Sequence, residues 1–249
     1  MSEQDLVLCT EADGVLQLSF NRPAQRNALN GEMYAELTRL VQQGNEDPGV
    51  RVILLQGANG YFTAGNDLAD FVPVPSELLA ARLFLAAATC FKPIVAAVEG
   101  GAIGIGTTLL GHCDFAYAGK STRFAAPFTK LGVCAEGGSS LWLAQNAGHK
   151  RAAEILLLGE PFTAQAALEA GLINAVVEDG TAAEAAMATA RRLASLSPEA
   201  VQTTKRLMKT PSLSALKDAV ALEEKAFLGL LSGEAAQKAI AAFLAPKKR

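Results

Sequence analysis

Hydrophobic positions along the chain change period several times, and each change marks an element. Leu6–Glu11 and Gly14–Phe20, both rich in apolar residues, flank Asp13-Gly14, the pattern of two strands joined by a tight hairpin turn. Asn30 then stands as the N-cap of a helix whose apolar stripe is Met33, Leu37, Leu40 and Val41, with an end near Gly44. Val50–Gln56 and Pro93–Val98 are nearly continuous apolar runs, which predicts strands buried on both faces. Between them, Pro73–Pro75 marks a loop and Glu77–Cys90 a helix. Further on, Thr107–His112 reads as a helix and Phe115–Ala118 as a strand. Gly138–Asn146, Lys150–Leu158 and Ala164–Ala170, the last capped by Thr163, read as helices. Ile173–Val177 is a last strand. From Thr181 the period is helical only, with breaks predicted at Ser197-Pro198, Thr210-Pro211 and Ser232-Gly233. Interleaved strands and helices followed by helices alone predict an α/β core with an all-helical C-terminal appendage. The division falls at 1–196 and 197–249.

Composition narrows the class without changing that picture. Half of the 249 residues are hydrophobic and 19% are charged, as in a folded globular chain. A net charge of -3, from 22 basic and 25 acidic residues, gives no reason to expect nucleic acid. Lys247-Lys248-Arg249 reads as a solvated tail. Cys9, Cys90, Cys113 and Cys134 are scattered and keep no metal-ligand spacing with His112 or His149, so neither disulfides nor a metal site is expected. Met1–Asp5 is acidic and fits neither a signal nor a transit peptide, and apolar runs are too interrupted to span a bilayer. These features predict a cytoplasmic protein without membrane or nucleic-acid partners.

Two glycine-bearing segments carry the candidate chemistry. In Gly60–Leu68, an aromatic strand end runs through Thr63-Ala64-Gly65 into Asn66-Asp67-Leu68, where a helical turn begins. Small residues there let a ligand approach the backbone, and the following N–H groups face outward at a positive helix end. That suits an oxyanion hole, although Gly-Asn-Asp is equally ordinary turn chemistry. The second segment, Val98–Thr108, follows a buried strand and opens a helix. Gly104-x-Gly106 begins a dinucleotide fingerprint, but Leu109 stands where its third glycine belongs. A phosphate-binding loop fails as well, because Thr107 stands where lysine is needed. A strand–glycine–helix unit with bare N–H groups near Ile105 remains; tight helix–strand packing would also explain its glycines.

With both segments in place, the chain resembles the crotonase (enoyl-CoA hydratase/isomerase) superfamily. The resemblance runs through Asn21-Arg22-Pro23, Asn27-Ala28-Leu29, Ala64–Leu68, Pro93–Gly100, Cys113-Asp114, Phe162–Ala164 and Ala170–Ile173. It implies a spiral of repeated ββα units with a C-terminal all-helical trimerisation region. It also implies an acyl-CoA thioester ligand, no cofactor beyond the coenzyme A of the substrate, and a homotrimer or dimer of trimers. The oxyanion donors would be the N–H groups of Asn66 and Ile105. Ala64, Gly65, Asp67, Leu68 and Gly104 would frame the thioester, and Arg26 and the Phe243–Lys247 region would lie near coenzyme A.

Superfamily members that hydrate a 2-enoyl-CoA use two glutamates, and their positions here hold Thr108 and Phe128. Neither exchanges a proton near neutral pH. Instead Pro127–Ser140 is similar to the peroxisomal-type branch of Δ3,Δ2-enoyl-CoA isomerases, with pattern P-F-x-x-L-G-x-x-P-E-G-x-S-S, except that Ala135 replaces its second proline. The catalytic glutamate of that branch aligns with Glu136. Without the resemblance, Glu136 reads as a carboxylate complementing the dipole of the helix that follows. Asp67 is expected to cap a helix, Glu99 to serve packing or a hydrogen bond, and both histidines to be structural or exposed. Phe71, Leu79, Leu83 and Phe84 are expected to line the acyl pocket, or else to be core. Isomerisation of a 3-enoyl-CoA is the leading expectation; a hydratase, or an acyl-CoA-binding protein without catalysis, are the alternatives.

Overall fold

A computed structural model describes residues 5–245. Its hairpin is β1 (Val7–Ala12) and β2 (Val15–Phe20), turned by Asp13 and Gly14, both at positive φ. Helix α1 (Gly31–Glu46) starts at Asn30, whose side chain accepts from Met33 N–H. Then follow β3 (Val52–Gly57), α2 (Leu79–Thr89), β4 (Ile94–Val98) and the short β5 (Gly101–Ile103). Helix α3 (Ile105–Thr108) is one turn long, and β6 (Phe115–Gly119) and β7 (Arg123–Ala125) come next. The chain continues through α4 (Ser139–Ala147), α5 (His149–Ala153), β8 (Phe162–Thr163), α6 (Ala164–Glu169) and β9 (Ala175–Val177). Three helices finish it: α7 (Ala182–Ala194), α8 (Pro198–Leu231) and α9 (Glu234–Leu244).

Six strands form one sheet in the order β1-β2-β3-β4-β6-β9, parallel except for the hairpin. Its side chains alternate between two cores, as the two-residue period of a strand requires. Leu18, Phe20, Ile53, Leu55, Ile94 and Ala96 enter the main core with α1 and α2. On the other face, Val15, Val52, Leu54, Val95 and Ala97 meet Ala182, Ala186, Ala190 and Ala194 of α7. Alanine at every fourth position keeps that stripe of the helix flat. Glu99 accepts from Ala182 N–H (3.0 Å) at the start of α7, the hydrogen-bond role expected of it.

A second sheet, β5-β7-β8, was not foreseen, because strands of two or three residues are too short to show a period. It lies immediately before α3 and so sets the second glycine segment. The predicted break at Thr210-Pro211 is absent: α8 runs unbroken through Pro211. Proline removes the N–H that would bond the carbonyl of Leu207, and Leu207 lies on the exposed side of the helix. The break at Ser232-Gly233 is present. The described residues contain no single helix long and apolar enough to cross a membrane, and all four cysteines are free.

The C-terminal helices are joined to the core rather than appended to it. Phe227 and Leu231 are buried in the main core, whereas Leu222, Leu230 and Phe243 are exposed. Lys205 Nζ donates to Asp114 Oδ2 and to the Lys92 carbonyl, each at 2.6 Å, and Asp114 also accepts from Ile94 N–H (2.7 Å). This pair ties α8 to the ends of β4 and β6, and the lysine side chain is 6% exposed. Without Lys205, Asp114 would keep only Lys209, at 3.8 Å, as a cationic partner among the described residues, and a buried charge that loses its close partner is costly. Lys205→Met is therefore expected to lower unfolding free energy by about 3 kcal/mol, read from the urea midpoint.

Candidate active site

Asn27 and Arg22 build the floor under the first glycine segment. The Asn27 amide donates to the carbonyls of Ala58 (3.0 Å) and Tyr61 (2.6 Å), and its oxygen accepts from Arg22 N–H (2.9 Å). The Arg22 guanidinium reaches the Ala28 carbonyl (2.8 Å) and Asp67 (2.9 Å). Asp67 also accepts from Ala69 N–H (3.1 Å), capping the turn Leu68–Phe71 as expected. Its carboxylate is thus occupied structurally.

The backbone at Asn66 is fixed from one side. Leu29 N–H donates to the Gly65 carbonyl and Asp67 N–H to the Leu29 carbonyl, each at 2.8 Å. In this parallel bridge the Asn66 N–H points the other way, and it has no acceptor among the described residues. Thr63 similarly bridges Ala102 of β5, which draws the two glycine segments together. Gly65 sits at φ +99, and a Cβ there would lie 2.8 Å from the Ile103 carbonyl oxygen, so only glycine permits the approach. Ile105 is the first residue of α3, after the cap Gly104, and its N–H also lacks an acceptor among the described residues.

Two cavities meet at Asn66. The larger, about 610 Å³, is lined by Tyr34, Asn66, Asp67, Phe71, Leu79 and Glu136 together with the Val72–Pro75 loop. The smaller, about 170 Å³, is lined by Ala64, Gly65, Asn66, Leu68 and Gly104, with Phe128 and Phe243 on its walls. Ile105 is wholly buried behind Gly104 and lines neither. Arg26 is exposed, near the Tyr61 ring (5.9 Å), and accepts through its carbonyl from Ala64 N–H (2.9 Å); it too lines neither cavity. Of the Phe243–Lys247 region, Phe243 faces the smaller cavity and Lys247 lies outside the described residues. Of the four residues expected along an acyl pocket, two line a cavity at Asn66. Phe71 and Leu79 line the larger cavity, but Leu83 is in the core, and the Phe84 ring lies over Gly137 and beside His112 (5.2 Å).

Glu136 is 3% exposed and faces the larger cavity, with Asn66 Nδ2 at 3.5 Å from its Oε1. It does not cap α4. That duty falls to Glu223 of α8, whose carboxylate accepts from Gly138 N–H (2.5 Å) and Ser140 N–H (2.9 Å). Behind the loop, His112 Nε2 donates to the Gly137 carbonyl (2.8 Å), and Trp142 Nε1 donates to the same oxygen (3.1 Å). Burial, with Lys209 nearby, pushes His112 down to about 4, so it is a neutral structural donor. Gly137 at φ +72, packed under Phe84, turns the chain away after Glu136. Burial pushes the Glu136 carboxyl up to about 8, opposed by the Asn66 amide and reinforced by Glu223. Sequence reading missed Glu223 and Tyr34. Thr108 and Phe128 are both buried, Phe128 beside Gly104.

Fold and site together define a crotonase-type α/β protein: two unpaired backbone N–H groups on adjoining glycine segments, and one buried carboxyl beside them. Comparison with known proteins agrees. Residues 10–249 match the family model described as enoyl-CoA hydratase/isomerase. Human enoyl-CoA delta isomerase 2 is 30% identical over 98% of this chain, which spans 64% of that protein's length. The 2,3-dehydroadipyl-CoA hydratase of Escherichia coli is 33% identical over 92% of both chains. The solved structure of OdaA from Pseudomonas aeruginosa superposes with a TM-score of 0.95 at 39% identity, covering 98% of this chain and all of that one. The chain belongs to the enoyl-CoA hydratase/isomerase family.

The raised Glu136 carboxyl makes stability depend on pH. Below about pH 4.5 the group is neutral folded and unfolded, and it contributes no difference. Between there and about pH 8 the unfolded chain gives up a proton that the folded one keeps, so stability falls as pH rises. Glu136→Gln keeps the shape and removes that loss. Urea unfolding is expected to show the variant gaining on the wild type from pH 5 to pH 8, by at most about 1.4 kcal/mol per pH unit. A constant difference would contradict the burial account.

Proposed function

We propose that the protein is an acyl-CoA enzyme that isomerises a 3-enoyl-CoA to the 2-enoyl-CoA without a cofactor. The thioester oxygen sits between the N–H groups of Asn66 and Ile105, reached past Gly104, where negative charge developing in the enolate is stabilised. Glu136, once ionised, takes a proton from C2. The electron pair of that C–H bond enters the enolate, and the pair of the C3–C4 double bond is drawn into conjugation. Return of the proton from Glu136 to C4 leaves a C2–C3 double bond, with no net gain or loss of atoms. A single carboxyl serves because donor and acceptor carbons lie on one face of a short segment.

One observation carries this reading: Glu136 is the buried carboxyl that lines the cavity, and it is free of helix-capping duty because Glu223 performs it. Hydration would need a second proton-handling group at Thr108 or Phe128. The name of the Escherichia coli relative nonetheless keeps hydration as the second reading. Exposed Leu207, Met208 and Leu222 on α8 support a homotrimer or dimer of trimers as part of the same proposal.

The test is to offer the protein a 3-enoyl-CoA and, separately, a 2-enoyl-CoA. Isomerisation that drops about 100-fold or more in Glu136→Gln is the expected outcome. Wild type that hydrates the 2-enoyl thioester without isomerising would overturn the proposal, and tight binding with no turnover would leave a binding protein. The pH profile supplies an independent check. Since the free protein holds Glu136 protonated at pH 7, kcat/KM for the 3-enoyl-CoA is expected to climb from pH 6 and level off above about 8.

A further inference from the structure

Tyr34 stands on the buried side of α1, 5% exposed, with its hydroxyl in the larger cavity. That hydroxyl donates a hydrogen bond to Asn66 Oδ1. The other end of the same amide, Nδ2, faces Glu136 Oε1 at 3.5 Å. An amide has an acceptor end and a donor end, and turning it over exchanges them. At 3.5 Å the contact with Glu136 is too long to hold the amide by itself. The Asn66 backbone is pinned independently through Leu29, so side-chain rotation is the freedom left to fix. In the structure Tyr34 donates to Oδ1, and Nδ2 is the end left on the side of Glu136.

We infer that Tyr34 is a positioning residue that acts on Glu136 through Asn66: by occupying Oδ1, its hydroxyl leaves only the NH₂ group to face the carboxyl. The chemical consequence follows from donor and acceptor counts. A carboxylate can only accept, whereas a carboxylic acid can donate its proton. An amide that presents NH₂ favours the ionised carboxyl; one that presents its carbonyl favours the acid. Tyr34 thus biases Glu136 toward the form that removes a proton, against the burial that favours the acid.

Other groups act on Glu136 and are untouched by this device. Glu223 approaches from α8, Cys134 lies on the same loop, and His112 stands behind Gly137. Asp70 stands by Tyr34, and together with burial and Glu136 it holds the phenol well above 10, so the hydroxyl remains a donor across the working range. The inference rests on the isomerase reading for its catalytic meaning, but the orientation of the amide concerns the protein without substrate.

The experiment therefore reads Glu136 directly. Protein labelled with carboxyl-¹³C glutamate is titrated by NMR, and the Glu136 signal is assigned by its loss in Glu136→Gln. In Tyr34→Phe, which removes one oxygen and keeps the ring, the Glu136 midpoint is expected to rise by about one pH unit. The kcat/KM profile on a 3-enoyl-CoA should move by the same amount. In an Asn66→Ala background, Tyr34→Phe is expected to leave the midpoint in place, since the intermediary is gone. A midpoint unmoved by Tyr34→Phe alone, or moved equally in both backgrounds, overturns the inference. A midpoint that moves as expected in a protein that does not isomerise supports it and sinks the isomerase reading alone.

Discussion

The positive end of α4 needs an anion, and which carboxylate supplies it decides what the site can do. Gly138 and Ser140 present N–H groups with no intrahelical partner. Glu136, three residues before the first helical residue, is the local candidate. Were it to turn onto those donors, it would be held ionised, hydrogen-bonded and turned away from the cavity. Glu223 occupies them instead, from a position 85 residues further along the chain than Gly138. The local carboxyl is thereby left with the distant amide of Asn66 and a mostly apolar wall. Two carboxyls near one helix end also repel, and Glu136, without backbone N–H donors, is the one that keeps its proton. The C-terminal helices therefore take part in setting the state of the candidate base.

The second half of the site depends on backbone approach rather than on charge. The bridge from Thr63 to Ala102 and the absence of a side chain at Gly65 place one loop against the carbonyl of Ile103. Gly104 donates its own N–H to the Ala125 carbonyl (2.8 Å) of β7 and caps α3, which leaves the next N–H without a strand partner. The small sheet β5-β7-β8 holds this arrangement, and both β5 and β7 end where the backbone turns toward the smaller cavity, at Gly104 and at Pro127-Phe128. Asn66 belongs to both halves: its N–H faces away from the Leu29 bridge, while its side chain lies between Tyr34 and Glu136.

Legibility in the sequence followed the length of the repeat. α1 and α2 were readable from a helical stripe, and β3 and β4 from nearly continuous apolar runs. β5, β7 and β8 were not, because a three-residue strand has no period to detect. Pro211 misled, since a proline rule describes an average helix and takes no account of a site where the residue losing its partner, Leu207, lies on the exposed side. Glu136 was found through a family pattern, while geometry removed its capping alternative. Glu223 was discoverable on different grounds. It falls on the stripe Val220, Phe227, Leu231, all buried, so a helical period places an acid on a core-facing side, and such an acid needs partners. Tyr34 carried the same signal beside Met33 and Leu37 on the inner face of α1. Leu83 and Phe84 show the limit of the method: an apolar helix face names residues that are buried without saying which of them meet a cavity.

On the proposed reading, a base that is protonated at rest is less contradictory than it first looks. A carboxylate of ordinary pKa is a weak base toward a carbon acid, and raising its pKa strengthens it in proportion to the Brønsted relation while reducing the fraction ionised. At about 8, one step above neutrality, Glu136 trades a modest loss of ionised population for basicity. The opposing influences on this one group come from separate elements: burial under α2 and α4, repulsion from α8, and a single amide donor set by α1. The protonation state of Glu136 is therefore a property of how these helices converge, and not only of the loop that carries it.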